Sequence, residues 1–269
     1  MPTRCPFCLY FRSWIIRRNK RKCKKCKHEF SINDYPVKGI RSTDKEWRES
    51  IHIFLRERAS ERIYQETNIG RSRAIRMTHF FRVCMLMDMP EKFIGPVEID
   101  ETYIGGQRKN KKLHIRRFTK SKRGHGTTKL AVVGIFDRLT KQIYMETIIH
   151  KPKAYYMFSV IRNQIQIGAQ VYSDAFKLYR GLGKIGYLHK YVDHDDGEYV
   201  RGEIHTNNIE GFWGILKRKL GCIGGMRRDR IKYFAAEMVW RFNNRKLSFS
   251  EQEEKLYGLI LKCKIGGKS

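Results

Sequence analysis

Acidic residues are scarce in this chain. Its 269 residues include 27 Asp and Glu against 56 Lys and Arg, which gives a formal net charge of +29. So large an excess of one sign repels itself, and binding to a polyanion would relieve the repulsion. The basic residues are spread along the chain rather than confined to one tail. We therefore predict nucleic acid as the partner, with an anionic membrane surface as the minor alternative.

Long apolar runs are also missing. No stretch approaches the roughly 18 uncharged apolar residues of a transmembrane helix, so we expect no membrane span. The polar start of the chain predicts no signal peptide. The sequence has no Gly-x4-Gly-Lys-Ser/Thr loop, and we expect chemistry that needs no nucleotide as energy source. The seven cysteines are an odd number, which favours a reducing compartment and a metal over disulfides.

Four of the cysteines form two C-x2-C pairs. Cys5 and Cys8 are separated from Cys23 and Cys26 by 14 intervening residues. Each pair presents two thiolates from one tight turn, and four thiolates satisfy a tetrahedral Zn²⁺ ion. A module this short buries too little apolar surface to fold unaided, so the metal would supply the folding energy. We predict a structural zinc ribbon over residues 1–40. A disulfide pair or an empty, degenerate ribbon is the alternative.

Residues 41–92 are predicted to be helical and to bind DNA. Thr43 followed by Glu46 is the pattern of a capping box. Further on, a short helix, a turn at 68–70 and a second helix favour a helix-turn-helix. Three arginines lie near the start of that second helix, where base edges would be met: Arg71, Arg73 and Arg76. An ordinary helical hairpin is the alternative.

Residues 93–250 are predicted to form a domain that begins with strands. The expected elements are strands at 97–103, 129–136 and 142–149, a helix at 155–166 and a strand at 170–173. The continuously apolar second strand predicts burial on both faces. Three antiparallel strands, a helix and a further strand match an RNase H-like order. The predicted fold class is therefore α/β (α+β), with a C-terminal helix and basic tail at 251–269.

A polar, basic insertion interrupts this domain at residues 107–125. It contains Arg116 and Arg117 among its nine Lys and Arg. We interpret it either as a loop that becomes ordered on DNA or as a merely solvated loop.

Three carboxylates stand out by position. Asp100 and Asp174 each end an apolar run, and Glu210 lies at the start of a predicted helix, with 35 residues between Asp174 and Glu210. Phosphodiester transfer needs a clamp on the attacking and leaving oxygens, and hard cations prefer oxygen ligands. We predict that these acids hold two Mg²⁺ or Mn²⁺ ions. Lys217, two helical turns after Glu210 and hence on the same face, would reach a DNA phosphate.

The neighbours of these acids leave alternatives open. Glu101 points to the opposite face by strand alternation and is interpreted as structural. Trp213 suits either packing or base stacking. Asn207 or Asn208 would serve as the third ligand if Glu210 faced away from the site.

These features together resemble a group of bacterial and archaeal insertion-sequence transposases. Members combine an N-terminal zinc ribbon with a DDE-type, retroviral-integrase-like catalytic domain. The resemblance covers nearly the whole chain, and its motifs are Glu98-Ile-Asp100-Glu-Thr-Tyr-Ile-Gly-Gly106, Tyr172-Ser-Asp174 and His205-Thr-Asn-Asn-Ile-Glu210-Gly-Phe-Trp213. It implies an RNase H-like fold and metal-dependent cutting and joining of DNA at transposon ends. It also implies the catalytic set Asp100, Asp174, Glu210 and Lys217.

The expected partner is double-stranded DNA, both transposon ends and target, bound by a homodimer or higher oligomer. We expect the protein to bind DNA in the cytoplasm of a prokaryote, at the nucleoid, with no membrane involved. The basic run after Glu210 would hold backbone phosphates: Lys217, Arg218, Lys219, Arg227 and Arg228. Two other classes of protein remain as alternatives. One is a DNA-binding regulator with structural carboxylates, and the other is an RNase H-like nuclease without strand transfer.

Overall fold

The structure is a computed structural model that describes residues 10, 12–17, 20–31, 40, 42–57, 60–105, 113, 129–148, 154–174, 179, 181–192, 204–223 and 226–265. Four of the predicted site residues lie outside the described residues: Cys5, Cys8, Arg116 and Arg117. The chain divides into two compact units. The N-terminal unit comprises Met1–Asp88 and Lys246–Ser269, and the central unit comprises Met89–Arg245.

The described residues form eight strands and seven α-helices. The strands are β1 (Ser13–Arg17), β2 (Lys20–Cys23), β3 (Glu29–Ser31), β4 (Val97–Ile104), β5 (Leu130–Asp137), β6 (Ile143–Ile148), β7 (Gln170–Asp174) and β8 (Leu188–Val192). The helices are α1 (Asp44–Leu55), α2 (Ser60–Glu66), α3 (Arg71–Met87), α4 (Ala154–Gln164), α5 (Asn207–Cys222), α6 (Arg228–Asn243) and α7 (Phe249–Ile265). None of the helices in these described segments is long and apolar enough to cross a membrane.

The N-terminal unit begins with a small antiparallel sheet, in the order β1-β2-β3. Cys23 is buried in it, and only Tyr10 and Cys26 among the described residues pack against Cys23 as partly buried hydrophobics. The backbone N–H of Lys25 donates to Sγ of Cys23 at 3.3 Å. The described part of this core is too small to stabilise three short strands by apolar burial alone, because folding stability requires far more buried surface.

The helices of the N-terminal unit follow the predicted pattern. The capping box of α1 is confirmed, since the Glu46 N–H donates to Thr43 Oγ1 at 3.2 Å and the Thr43 N–H donates to Glu46 Oε2 at 2.7 Å. The predicted short helix, turn and second helix are confirmed as α2, residues 67–70 and α3, and α3 begins at Arg71. The DNA-binding role of this motif stays a prediction.

The central unit contains a five-stranded mixed sheet in the order β6-β5-β4-β7-β8. Neighbours are antiparallel from β4 to β6, whereas β4–β7 and β7–β8 are parallel. The predicted strands and the helix α4 are confirmed with bounds that shift by one or two residues. β5 is buried along its whole length, as its continuous apolar run predicted. The mixed α/β class is thus confirmed.

The two faces of this sheet have different coverings. Ile99 of β4 and Ile135 of β5 share one hydrophobic core with Met157 and Ile161 of α4. The other face is covered by α5 and α6, whose aromatic rings reach the sheet; the Phe136 ring, for example, contacts that of Phe242 at 6.4 Å. Because side chains alternate along a strand, the even-numbered residues of β4 face α5. The acidic residues of β4 on that face define the candidate site.

Candidate active site

The three predicted acids come from three elements of the central unit. Asp100 lies in the middle of β4, Asp174 is the last residue of β7, and Glu210 lies in the first turn of α5. β4 and β7 are parallel neighbours, and Glu98 pairs with Tyr172 across them. Asp100 and Asp174 each follow that pair by two residues, which places both on the same face of the sheet.

The three acids interact electrostatically. The pKa of Asp100 is raised to about 7, first because burial removes water from its carboxyl group and next because the charge of Asp174 is nearby. The charge of Glu210 raises the pKa of Asp100 further. The backbone N–H of Glu101 donates to Asp100 Oδ1 at 2.8 Å and opposes the shift. The pKa of Asp100 in β4 is therefore raised by one acid on β7 and by another on α5.

The donor atoms of this cluster suit a hard divalent cation. Carboxylate oxygens are the ligands that Mg²⁺ prefers, and a cation would offset the repulsion felt by Asp100. Within the described segments, no three His, Cys, Asp or Glu side chains lie close enough together to hold a metal ion between them. Glu210 Oε1 accepts a hydrogen bond from Thr206 Oγ1 at 2.5 Å, so its carboxylate is oriented within its own helical turn. The magnesium site stays a prediction with a chemically suitable donor set.

Glu101 lies on the other face of β4, as strand alternation predicted. The buried hydroxyl of Tyr179, part of the core beneath α4, donates to Glu101 Oε2 at 2.7 Å. The pKa of Glu101 is raised to about 8, chiefly by burial and further by the charges of Asp174 and Asp100. Burial also raises the pKa of Tyr179 well above its ordinary value. These contacts are consistent with a structural role for Glu101.

Trp213 packs on the sheet beside Asp100. Its side chain is 3% exposed, so the interpretation as a base-stacking platform is wrong for this structure and the packing interpretation holds. It lies over Gly134, the residue paired with Asp100 across β4 and β5. A Cβ atom on Gly134 would stand 2.5 Å from Trp213 Cζ2. The indole ring therefore fits this place because residue 134 has no side chain.

The remaining predicted residues of α5 and α6 lie near helix ends. The Asn208 side chain donates to Glu98 Oε1 at 2.7 Å, which directs its amide N–H₂ group toward β4. Asn207 is exposed. The predicted phosphate contacts are all exposed except the half-buried Lys219: Lys217, Arg218, Lys219, Arg227 and Arg228. Their DNA-binding role is not tested by these positions.

The three arginines at the start of α3 already have contacts within the N-terminal unit. Arg71 Nε lies 3.0 Å from Glu61 Oε2, and an Arg73 guanidinium nitrogen lies 2.8 Å from Glu46 Oε1. Arg76 Nε donates to the carbonyl oxygen of Ser72 at 3.4 Å. Reading of base edges by Arg71 and Arg73 would therefore require these ion pairs to be exchanged for contacts with DNA.

Sequence reasoning missed two residues beside the acids, Glu98 and Arg138. Glu98 is fully buried and accepts a hydrogen bond from Arg138 Nε at 2.8 Å. One signal was available for Glu98, because an acid inside a buried strand requires a charged or hydrogen-bonding partner. Arg138 gave no such signal, since it follows β5 in what the sequence shows as an ordinary hairpin turn.

The fold and the acidic cluster define a mixed α/β domain with acidic residues on one face of its central sheet. Residues 92–243, more than half of the chain, match the family of ISXO2-like transposase domains. The chain belongs to this family and is therefore an insertion-sequence transposase.

Relatives of known source agree with this assignment. An uncharacterized protein in transposable element ISH50 of Halobacterium salinarum is 27% identical over 222 residues, covering 78% of this chain and 73% of the relative. An uncharacterized transposase-like protein of Haemophilus influenzae is 27% identical over 88 residues, 33% of this chain and 71% of the relative. A solved simian T-cell lymphotropic virus intasome in complex with PP2A regulatory subunit B56 gamma aligns at 10% identity with a TM-score of 0.33. That alignment covers 74% of this chain and 69% of that chain, a likeness too distant to support an argument.

Proposed function

We propose that this protein binds the ends of its insertion sequence, cuts phosphodiester bonds there with the help of Mg²⁺, and joins the ends to target DNA. The observation that carries the proposal is the placement of Asp100 and Asp174 on one face of the central sheet, where Asp174 and Glu210 both raise the pKa of Asp100. Membership of a transposase family supports DNA as the substrate. The sheet order β6-β5-β4-β7-β8, three antiparallel strands followed by two parallel additions, supports an RNase H-like classification of the central unit.

The three acids act together in this proposal. Asp100 and Asp174, on the sheet, and Glu210, on α5, would together hold the Mg²⁺ ions. Bound there, the ion pair would supply charge stabilisation of the attacking and leaving oxygens. Trp213, packed beside Asp100, would exclude bulk water from the inner side of this carboxylate, which strengthens its electrostatic interactions.

The reaction exchanges phosphodiester bonds without an external energy source. A water oxygen bonds to phosphorus at the element end while the bond to the leaving oxygen breaks, which leaves a free 3′-hydroxyl. That hydroxyl then bonds to a phosphorus of the target strand while a target phosphodiester bond breaks. Lys217, exposed on α5 two turns beyond Glu210, would hold a DNA phosphate during both steps.

Recognition of the DNA is assigned to the N-terminal unit. We propose that α2 and α3 read the terminal repeat and that a zinc ribbon, including Cys23 and Cys26, adds contacts. The N–H to Sγ hydrogen bond at Cys23 supports this, since a thiolate that binds metal is stabilised by such donors. Because two ends must be brought together, we propose a homodimer or higher oligomer on DNA, acting at the nucleoid in a prokaryotic cytoplasm.

Strand transfer tests the proposal directly. Full-length protein is incubated with Mg²⁺ or Mn²⁺, labelled DNA carrying the element's own end, and a supercoiled target plasmid. Wild type is compared with Asp174→Asn, and with Glu146→Gln as a matched control. Glu146 is a half-buried acid of β6 whose strand partner, Val133, belongs to the α4 core. We expect joined products from wild type and Glu146→Gln, and none from Asp174→Asn.

Other results would contradict specific parts of the proposal. Cleavage without joined products would indicate a nuclease instead of a strand transferase. Tight DNA binding with no metal-dependent chemistry would indicate a regulator. Joined products from Asp174→Asn at the wild-type rate would remove Asp174 from the site.

A further inference from the structure

Glu98 is an acid at a position where an isolated charge is costly. Its side chain is fully buried, two residues before Asp100 on the same face of β4. Transfer of a carboxylate out of water is tolerated only when charged and hydrogen-bonding partners replace the water. The structure supplies both kinds of partner, and they come from outside β4.

Glu98 caps the helix that carries Glu210. The backbone N–H groups of Asn208 and Ile209 donate to Glu98 Oε2 at 3.0 and 3.2 Å. These are among the first N–H groups of α5, which have no acceptor within the helix. In most helices the N-cap side chain fills this role, but the N-cap residue Thr206 makes no capping bond and donates to Glu210 instead. A carboxylate at this end also favours the helix dipole.

Arg138 extends this contact to two further segments. Its Nε donates to Glu98 Oε1 at 2.8 Å, and a terminal guanidinium nitrogen donates to the carbonyl oxygen of His205 at 2.8 Å. Its guanidinium carbon also lies 4.1 Å from the centre of the Tyr172 ring, within the range of a cation–π interaction. One side chain therefore contacts β4, β7 and the segment that leads into α5.

Each of these three contacts lies close to one of the candidate metal ligands. Glu98 precedes Asp100 by two residues on β4, and Tyr172 precedes Asp174 by two residues on β7. The His205 carbonyl and the capped N–H groups flank the turn that carries Glu210. The pair thus joins the three backbone segments whose relative positions decide whether three carboxylates reach one set of ions.

We propose that Glu98 and Arg138 are positioning residues that fix the backbone segments of Asp100, Asp174 and Glu210 relative to one another, so that the three carboxylates can close on a divalent cation. The inference rests on the proposed function, because it assumes that the three acids are ligands. A pair that served stability alone would have no need of contacts to all three segments. Arg241 and Glu237 provide the comparison, since they form an ion pair of similar burial at 3.0 Å within α6 alone.

Direct binding of Mn²⁺ separates positioning from stability. Full-length protein, exchanged into buffer free of Mg²⁺ and Mn²⁺, is titrated with Mn²⁺, and free ion is measured by electron paramagnetic resonance. The variants are Glu98→Gln, the matched control Glu237→Gln, and Asp100→Asn. Changes to groups that orient metal ligands typically weaken metal binding about 10–100-fold. We expect that loss for Glu98→Gln at 25 °C, with an unchanged circular dichroism spectrum, and wild-type affinity for Glu237→Gln.

The outcomes distinguish this inference from the function on which it rests. Wild-type Mn²⁺ affinity in Glu98→Gln, or an equal loss in Glu237→Gln, would overturn the positioning role while the acidic site stands. Wild-type affinity in Asp100→Asn would place the ion elsewhere and overturn the proposed metal site itself. If Glu98→Gln fails to fold, Arg138→Lys is used instead. Lysine keeps a cation beside Glu98 but lacks the second guanidinium nitrogen that donates to the His205 carbonyl. Mn²⁺ binding about 10-fold weaker is then expected, and wild-type binding would overturn the inference.

Discussion

At the scale of single residues, Asp100 and Glu101 are neighbours on opposite faces of β4, and the same causes raise the pKa values of both carboxyl groups. Asp100 and Glu101 have pKa values raised to about 7 and about 8, and burial is the largest cause for both. The charge of Asp174, at the end of β7, raises the pKa values of both carboxyl groups further. Without a cation, the folded state therefore favours protonated acids that are ionised in the unfolded chain.

This difference predicts how the metal-free protein responds to pH. The pKa of Asp100 is raised when the chain folds, so its contribution to stability is fully present below about pH 4 and is lost as pH rises through about 7. In Asp100→Asn the side chain cannot ionise, so this loss of stability at high pH does not occur. In EDTA at pH 8 we expect its midpoint of thermal unfolding to lie roughly 3–6 °C above that of wild type. The difference should shrink toward zero at pH 4.5.

Glu146→Gln is the control for this measurement. It removes an acid from another strand of the same sheet, and the pH dependence of unfolding should match that of wild type. A lower midpoint for Asp100→Asn than for wild type at pH 8 would contradict the electrostatic account. A midpoint difference independent of pH would do the same.

The sequence revealed the candidate acids but not the residues that hold them. Asp100, Asp174 and Glu210 end or begin recognisable elements, so strand and helix patterns located them. Arg138 acts through three contacts that are distant in sequence, to residues 40, 34 and 67 positions away. Such contacts depend on how strands are ordered in the sheet, and a local pattern contains no information about that order.

At the scale of elements, the packing of α5 on the sheet decides whether Glu210 approaches Asp100. The Trp213 ring lies where a side chain on Gly134 would otherwise stand. Gly134→Ala adds a Cβ 2.5 Å from Trp213 Cζ2 and must push α5 outward. Overpacking of this kind costs about 1–3 kcal/mol. We expect a loss of unfolding free energy in that range by urea denaturation, together with weaker Mn²⁺ binding.

Gly221→Ala is the matched change within α5. A Cβ at Gly221, in the last turn of α5, would meet no atom within 4 Å, and alanine stabilises a helix relative to glycine by at most roughly 0.5–1 kcal/mol, the figure for an interior position. This variant should therefore unfold at slightly higher urea concentration and bind Mn²⁺ as wild type does. Equal destabilisation by both alanines would show that the glycines matter for backbone freedom rather than for the space that Trp213 occupies.

The small sheet of β1–β3 makes a separate prediction about zinc. Cys23 is its buried centre and accepts the Lys25 N–H, as a metal-bound thiolate would. We expect elemental analysis of the purified protein to find about one Zn²⁺ per chain. Cys23→Ser should lose most of it, whereas Cys222→Ser, which changes an exposed thiol on α5, should retain it. Wild-type zinc content in Cys23→Ser would contradict the ribbon.

Helices and strands with strong local sequence signals were predictable. Which of them pack together in one unit was not. The capping box of α1 and the apolar run of β5 each specify their element within a few residues. The C-terminal helix was expected as well, but α7 belongs to the N-terminal unit, where Glu254 pairs with Arg48 and Lys255 pairs with Asp88. These pairs join residues more than 160 positions apart, so they follow from the folded arrangement rather than from local sequence.

At the scale of the whole molecule, the net charge of +29 dominates encounters with other molecules. A chain so basic attracts any nucleic acid, so affinity alone says little about recognition of a particular end sequence. Specific contacts must add to this background. The arginines of α3 illustrate the distinction, because Arg71 and Arg73 would have to give up ion pairs within the protein to contact DNA.

The salt dependence of DNA binding measures how many phosphates this charge contacts. The logarithm of the binding constant should fall linearly with the logarithm of salt concentration, with a slope of about −0.9 for each phosphate neutralised. Lys217→Ala and Arg218→Ala change exposed cations on α5, and each should reduce the magnitude of the slope by about 1. Lys45→Ala, an exposed residue of α1 that lies 3.9 Å from Glu49, should leave the slope unchanged. Fluorescence anisotropy with a labelled duplex between 50 and 400 mM salt gives all four slopes. Equal slopes for all four proteins would place the DNA away from α5, and with it away from Glu210, because Lys217 and Glu210 share one face of that helix.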